Sequence, residues 1–177
     1  MRYYATLSLA LLGLQGCAGP VETNIHSAGA GVRDATTLMW LLAPKGGTEE
    51  EPHMLAAREA VAAALQERGF RMAEEASAAV AIGFAERPAQ IGLKTGQGEA
   101  LSPAKEKRLF QNCEDRMMRL RVSIVDRASG DQLYSGEAQE SHCHAQASDV
   151  LARLAGYAVE DIDSPGSERK SFSFAKD

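Results

Sequence analysis

The chain has 177 residues, of which 45% are hydrophobic, 24% charged and 6% aromatic, and its formal net charge is -5. That length fits one domain of ordinary size, and the apolar fraction is that of a packed globule, so wholesale disorder, collagen, coiled-coil and disulfide-dense compositions are excluded. The acidity argues against nucleic acid as a partner, since that would call for a basic patch.

The N-terminal stretch MRYYATLSLALLGLQGCAGP reads as an address. Arg2 supplies a positive charge, and Ala5 to Leu14 supply a short apolar core. A span of hydrocarbon needs about 20 apolar residues, so this core fits a secretory signal better than a transmembrane helix. Leu14-Gln15-Gly16-Cys17 resembles a bacterial lipobox, in which the cysteine is acylated and becomes the mature N-terminus. Residues 1–16 are therefore expected to be a signal peptide, and Cys17 the lipidation site. Several acyl chains, at ~0.8 kcal/mol per buried CH₂, make a stable anchor. Ala18 stands where an Asp would resemble an inner-membrane retention signal, which points to the periplasmic face of the outer membrane. Val21 to Arg33 is rich in Gly, Ala, Ser and Asn and reads as a leash, so residues 17–35 are expected to form a lipidated flexible tether.

Thr36 to Ala43 is a short apolar run closed by Pro44 and Gly46-Gly47, which favours a buried strand. Thr48 and Glu51 have capping-box spacing and open a helix, with Pro52 tolerated in its first turn. The helix is predicted to run to about Arg68 and stop at Gly69, with Leu55, Val61, Ala62 and Leu65 on its apolar stripe. Phe70 to Met72 is a brief pairing segment, and Ala78 to Phe84 a second buried strand. Glu86 to Gln111 holds Pro88, Gly92, Gly96, Gly98 and Pro103 and reads as the least regular part, with one short helix starting at Ser102-Pro103.

Met117 to Val125 alternates: Met118, Leu120, Val122 and Ile124 share one face, and Arg119, Arg121 and Ser123 the other. Asp126 to Gly130 is a turn, with Gly130 suited to positive φ. Gln132 to Gln139 returns as the hairpin partner, placing Tyr134, Gly136 and Ala138 on the inner face. Ser148 and Asp149 start a last helix, with Leu151, Leu154, Ala155 and Val159 inward. Residues 36–163 are thus expected to form a single α+β domain. Its order is strand, helix, strand, hairpin, helix, with a small mixed or antiparallel sheet and both helices on one face. Residues 164–177 read as a polar tail.

This arrangement resembles small bacterial envelope lipoproteins of the uncharacterised domain-of-unknown-function family 4136. The resemblance rests on the lipobox at Cys17, the early strand ending near Pro44 and the helix end Leu65-Gln66-Glu67-Arg68-Gly69-Phe70. It rests also on the hairpin in which Asp126, Gly130, Tyr134 and Gly136 match a D-x-x-x-G-x-x-aromatic-x-G pattern. It covers about Thr36 to Pro165. It implies a fold and an envelope location and no activity.

Cys113 and Cys143 flank the hairpin, and in an oxidising compartment thiols pair. A register in which paired residue numbers sum to 256 sets the two cysteines opposite each other. A three-residue turn ending at Gly130 favours 258 and displaces them by one diagonal. Either way a Cys113–Cys143 disulfide is expected. His142 and His144 bracket Cys143 and invite a metal reading with Cys113 as a further ligand. Strand alternation, however, would point both rings away from Cys143, and a thiolate site competes with the disulfide, so no metal is expected. Gly92 to Gly98 lacks the order of a phosphate loop and reads as a loop. Glu49, Glu50 and Glu51 read as helix capping. Arg116, Arg119 and Arg121, with Lys105, Lys107 and Arg108 upstream, make the most basic region. The favoured reading is a solvated strand face, partly neutralised by Glu114, Asp115 and Glu137; the other reading is contact with anionic headgroups or an acidic polymer.

The sequence holds no G-x-S-x-G, H-E-x-x-H or C-x-x-C pattern. It reads as a non-catalytic, cofactor-free envelope lipoprotein that acts by binding or scaffolding. Membrane lipid is engaged through the acyl anchor, the further partner is an envelope protein or polymer, and no nucleic acid is expected. The alternative is a small-ligand carrier or sensor in the periplasm.

Overall fold

The alternation that runs through Met117 to Val125 builds the centre of the molecule. In a computed structural model that describes residues 21–33, 37–41, 52–94, 100–102, 104–106, 113–166 and 170–174, this segment is one arm of a long hairpin. Cys17, Thr48 to Glu51, Lys107 and Arg108 lie outside the described residues.

The elements follow in chain order as β1 (Val21–Gly29), β2 (Thr37–Trp40), α1 (Pro52–Glu67), β3 (Arg71–Met72), β4 (Ala78–Pro88), β5 (Leu93–Lys94) and β6 (Ala100–Ser102). Then come β7 (Arg116–Asp126), β8 (Gln132–His142), α2 (Ala147–Ala158) and β9 (Lys170–Phe174). Seven strands form one mixed sheet in the order β3-β2-β4-β7-β8-β1-β9, and β5-β6 form a separate pair. The pairing of β2 with β3 and with β4 is parallel, as expected of strands joined through a helix; β4, β7, β8, β1 and β9 pair antiparallel. The fold is α+β. Among the described residues no helix is long and apolar enough to cross a membrane.

Both helices pack on the same face of the sheet. The core brings Leu38, Val80, Met118, Leu120, Val122, Ile124, Tyr134 and Ala138 against Ala57, Val61, Ala64 and Leu65 of α1 and Val150, Leu151, Leu154, Ala155 and Ala158 of α2. Burying each large aliphatic side chain of this set contributes roughly 1.5–3 kcal/mol, so the hydrophobic layer dominates the stability. The α1 stripe keeps Val61 and Leu65 of the predicted one and replaces the other two with Ala57 and Ala64: Leu55 is 50% exposed and Ala62 half-buried. Small alanines at 57 and 64 let α1 lie close to the sheet, and that displaces Leu55 to the rim. The α1 end fits the sequence reading. Gly69 takes φ 87°, its N–H donates to the Gln66 carbonyl, and the Phe70 N–H donates to the Leu65 carbonyl.

Three expectations are corrected. Val21–Gly29 is not a leash but a strand between β8 and β9, with Val21, Thr23, Ile25 and Ser27 buried on the helix side. Its β-branched alternation outweighs the Gly/Ala/Ser composition that suggested a tether, because β8 offers a free edge on which those groups can be buried. Part of the expected polar tail is likewise an edge strand, β9, in which Phe172 and Phe174 recur at period two. The irregular stretch is also shorter than expected. Strand β4 runs on to Pro88, and Ser102 closes β6 instead of opening a helix.

In the hairpin, Asp126 accepts hydrogen bonds from the Ala128 and Ser129 N–H groups. These two bonds lead the effects that hold its carboxyl below the usual carboxylate range. Gly130 takes φ 79°. Pairs from Arg116↔His142 to Ile124↔Tyr134 sum to 258, and the register shifts between Ile124 and Val125, with Leu133 as the extra residue. Of the two registers left open by the sequence the ladder takes 258; the pair next to the turn, Val125↔Gln132, is one short of it, and the extra residue Leu133 makes up the difference.

Candidate functional site

Alternation places Glu140 on the buried face of β8, in line with Tyr134, Gly136 and Ala138. Its side chain is fully buried, and four groups surround it. Thr23 Oγ1 on β1 donates at 3.0 Å. Arg153 on α2 forms a fork, Nε to Oε1 at 2.9 Å and Nη2 to Oε2 at 2.7 Å. His142 Nε2 lies 2.8 Å from Oε2. Phe174 of β9 closes the cluster, with the Arg153 guanidinium 5.0 Å from its ring centroid. Burial alone would raise the Glu140 pKa. The hydrogen bonds from His142, Arg153 and Thr23, together with the Arg153 charge, outweigh it and hold the pKa at about 2. The same bond to Glu140 raises the Arg153 pKa. A carboxylate held ionised in this way does not exchange protons near neutrality. The cluster is therefore an electrostatic clamp joining β1, β8, α2 and β9.

Sequence reasoning missed Glu140, Arg153 and Thr23. The signal was present: Glu140 continues the inward phase of β8 by one step past Ala138, and a buried acid demands a cationic partner.

The clamp fixes the strand end beside the cysteines. Cys113 and Cys143 are joined in a disulfide with Cα atoms 5.7 Å apart. The ladder ends at Arg116↔His142, so the bridge closes the hairpin just beyond its last pair. The expectation for the histidines is half corrected. His142, the last strand residue, does turn away from Cys143, into the clamp. Cys143 and His144 lie in a bend, where alternation no longer holds. A ring nitrogen of His144 and the sulfurs of Cys113 and Cys143 all lie within 4.8 Å of one another, with His144 exposed.

The other face of the sheet carries no helix among the described residues. Across its middle, one row pairs Gly83 with Arg121 and Arg121 with Glu137. The next pairs Ala85 with Arg119 and Arg119 with Gln139. Arg119 is ion-paired with Glu137, and Arg121 Nε donates to Ser135 Oγ at 3.2 Å. Burial and then the Arg119 charge lower the Arg87 pKa. Lys105 pairs with Asp115 at 2.9 Å and Arg116 with Glu86 at 2.7 Å. Among the described residues of the basic region, Lys105, Arg116 and Arg119 are thus ion-paired, with Asp115 and Glu137 as expected and with Glu86 as a partner not anticipated. Of the Gly92 to Gly98 segment, Leu93–Lys94 form β5 and Thr95 to Gly98 lie outside the described residues.

No family model matches the chain, and no curated protein matches it in sequence. The likeness to the domain-of-unknown-function family 4136 therefore rests on the quoted residues alone. Among solved structures the chain is similar in fold to the PelC dodecamer from Paraburkholderia phytofirmans, at 14% identity and a TM-score of 0.51, covering 80% of this chain and 99% of that one. It is similar also to a PDZ domain protein from Parabacteroides distasonis, at 9% identity and a TM-score of 0.51, covering 87% of this chain and 39% of that one. These likenesses concern the fold.

Proposed function

We propose that the protein is a non-catalytic lipoprotein of the bacterial outer membrane, held on the periplasmic side through Cys17, that binds or scaffolds an envelope partner with the open face of its sheet. The observation that carries this reading is the division of the sheet into two unlike faces. One is sealed by α1 and α2 over a filled apolar core. The other presents the small residues Ala81, Gly83 and Ala85 on β4 beside exposed Arg121 and half-buried Arg119 and Glu137 on β7 and β8. A polar sheet surface of this kind suits an extended contact with a protein or polymer. Support for the anchor comes from the lipobox and the h-region before it. Support for a non-catalytic role comes from Glu140, whose hydrogen bonds commit it to a structural task.

Two measurements test the proposal. Cys17→Ser should move the protein from the membrane fraction to the soluble periplasm; an unchanged membrane fraction rules out the lipid anchor. A photo-crosslinking residue at 83 or 121 should give a discrete adduct in intact cells, and one at Glu59, on the exposed side of α1, should not. Equal labelling from both faces overturns the assignment of the binding face.

A further inference from the structure

The end of the hairpin holds a second chemical possibility, independent of the anchor and of the open face. The geometry points to a site for a thiophilic d¹⁰ cation, zinc(II) being its probe, which Cys113, Cys143 and His144 form once their disulfide is reduced.

The three ligand atoms already lie within 4.8 Å of one another, and they come from two half-buried cysteines and an exposed histidine. With Zn–S bonds of about 2.3 Å in tetrahedral geometry, two thiolates on one zinc sit about 3.8 Å apart. The cysteine Cα separation of 5.7 Å accommodates that spacing by side-chain rotation alone. Both Cys143 and His144 lie in the bend after β8, past the last ladder pair Arg116↔His142, so strand alternation does not set their side-chain directions. The neighbouring His142 is excluded as a ligand, because its Nε2 is engaged by Glu140 at 2.8 Å and its ring is buried. That same contact fixes the end of β8 and keeps Cys143 beside Cys113 after the covalent link is lost. Two thiolates and an imidazole leave a fourth position for water, a set that favours zinc(II) over magnesium or calcium.

The conversion balances with an external dithiol as reductant. The dithiol is oxidised to its own disulfide, its two electrons cleave the Cys113–Cys143 bond, and its two protons pass to the cysteine sulfurs. Zinc(II) then displaces those two protons to solvent as it binds both thiolates and the neutral imidazole. An oxidising disulfide runs the sequence backwards, so the site holds metal only in the reduced state.

The test uses the full chain carrying Cys17→Ser, so that the third thiol cannot bind. The protein is reduced anaerobically, freed of reductant and titrated with cobalt(II), then with zinc(II). One cobalt per chain is expected, with thiolate-to-cobalt charge-transfer absorption that zinc(II) abolishes; the oxidised protein should bind none. His144→Ala, at an exposed position that leaves the fold intact, should weaken binding by roughly tenfold or more, and Cys113→Ser should remove the charge-transfer bands. The proposal is overturned if the reduced protein takes up no cobalt. It is overturned equally if His144→Ala leaves the affinity unchanged or if His142→Gln, not His144→Ala, removes the metal.

Discussion

Tyr134 lies directly over Gly136, two residues along the same face of β8. Its hydroxyl donates to the carbonyl of Ala158, the last residue of α2, at 2.9 Å. A Cβ at position 136 would collide with both the Tyr134 ring and the Ala158 carbonyl. The aromatic-x-Gly pair is therefore the seam along which α2 closes onto the sheet. Burial, and then the Asp161 charge, push the Tyr134 phenol above its ordinary pKa, which keeps the hydroxyl a donor around neutral pH.

This seam makes Gly136→Ala an overpacking change against backbone, expected to cost about 3 kcal/mol. Tyr134→Phe keeps the ring and loses only the bond to Ala158, at about 1–2 kcal/mol. Urea denaturation should show both losses as a lower midpoint at unchanged slope. A Gly136→Ala variant as stable as wild type would disprove the close approach.

The Glu140 clamp sets an acid limit. The folded pKa, at about 2, lies below the ordinary 4.5. A carboxylate depressed on folding adds stability that is complete above its unfolded pKa. That stability is lost as pH falls from about 4.5 toward 2. A shift of this size corresponds to about 3 kcal/mol. Glu140→Gln should be less stable than wild type at pH 7, with a flatter pH dependence in that acid window. Denaturation midpoints measured between pH 6 and pH 2 check this; parallel curves for the two proteins would refute it.

How much of this was legible in the residues depends on how local each signal is. The β7–β8 hairpin was readable because its alternation, turn and inward residues all lie within one short stretch. The ends of the chain were not. Residues of β1 find their partners on β8 more than 100 positions away, as in Thr23↔Glu140, and composition alone made the strand look like a tether. Leu55 was misplaced because periodicity gives the spacing of a helix stripe but not which of two adjacent stripes meets the sheet. The clamp needed four elements, β1, β8, α2 and β9, to be assembled before Glu140 had a reason to be buried, although its inward phase was visible. His144 was misjudged because strand alternation does not extend to it: β8 ends at His142, two residues earlier.

The disulfide should matter for stability more than for shape. It joins residues 30 apart at the end of a ladder already clamped through Glu140. Cross-linking a loop of that size contributes about 2–4 kcal/mol, chiefly by restricting the unfolded chain. Cys143→Ser should therefore lower the denaturation midpoint while leaving the far-ultraviolet circular dichroism unchanged. Intact mass of the protein as isolated without reductant should show no free thiol at Cys113 and Cys143; finding two there refutes the bridge.

The last prediction concerns β9. This edge strand covers β1 through the pairs Val21↔Phe174, Thr23↔Phe172 and Ile25↔Lys170. It is fastened from the helix side as well. Phe172 meets Tyr157 edge-on with centroids 5.3 Å apart, Phe174 stacks on Arg153, and Lys170 pairs with Asp161 at 2.9 Å. Truncation after Gly166 would open the β1 edge and uncover one wall of the clamp, giving Arg153 to water and weakening its hold on Glu140. An exposed strand edge is a template for pairing with another chain. The truncated protein should thus exchange its β1 amide hydrogens faster and self-associate with rising concentration, while the β4–β7–β8 amides stay protected. Phe174→Ala in the full chain separates the two effects, since it removes the ring over Arg153 and leaves the backbone pairing intact. It should shift the acid limit of the clamp upward without causing association. Unchanged β1 exchange in the truncated protein would show that β9 contributes nothing to closing the edge.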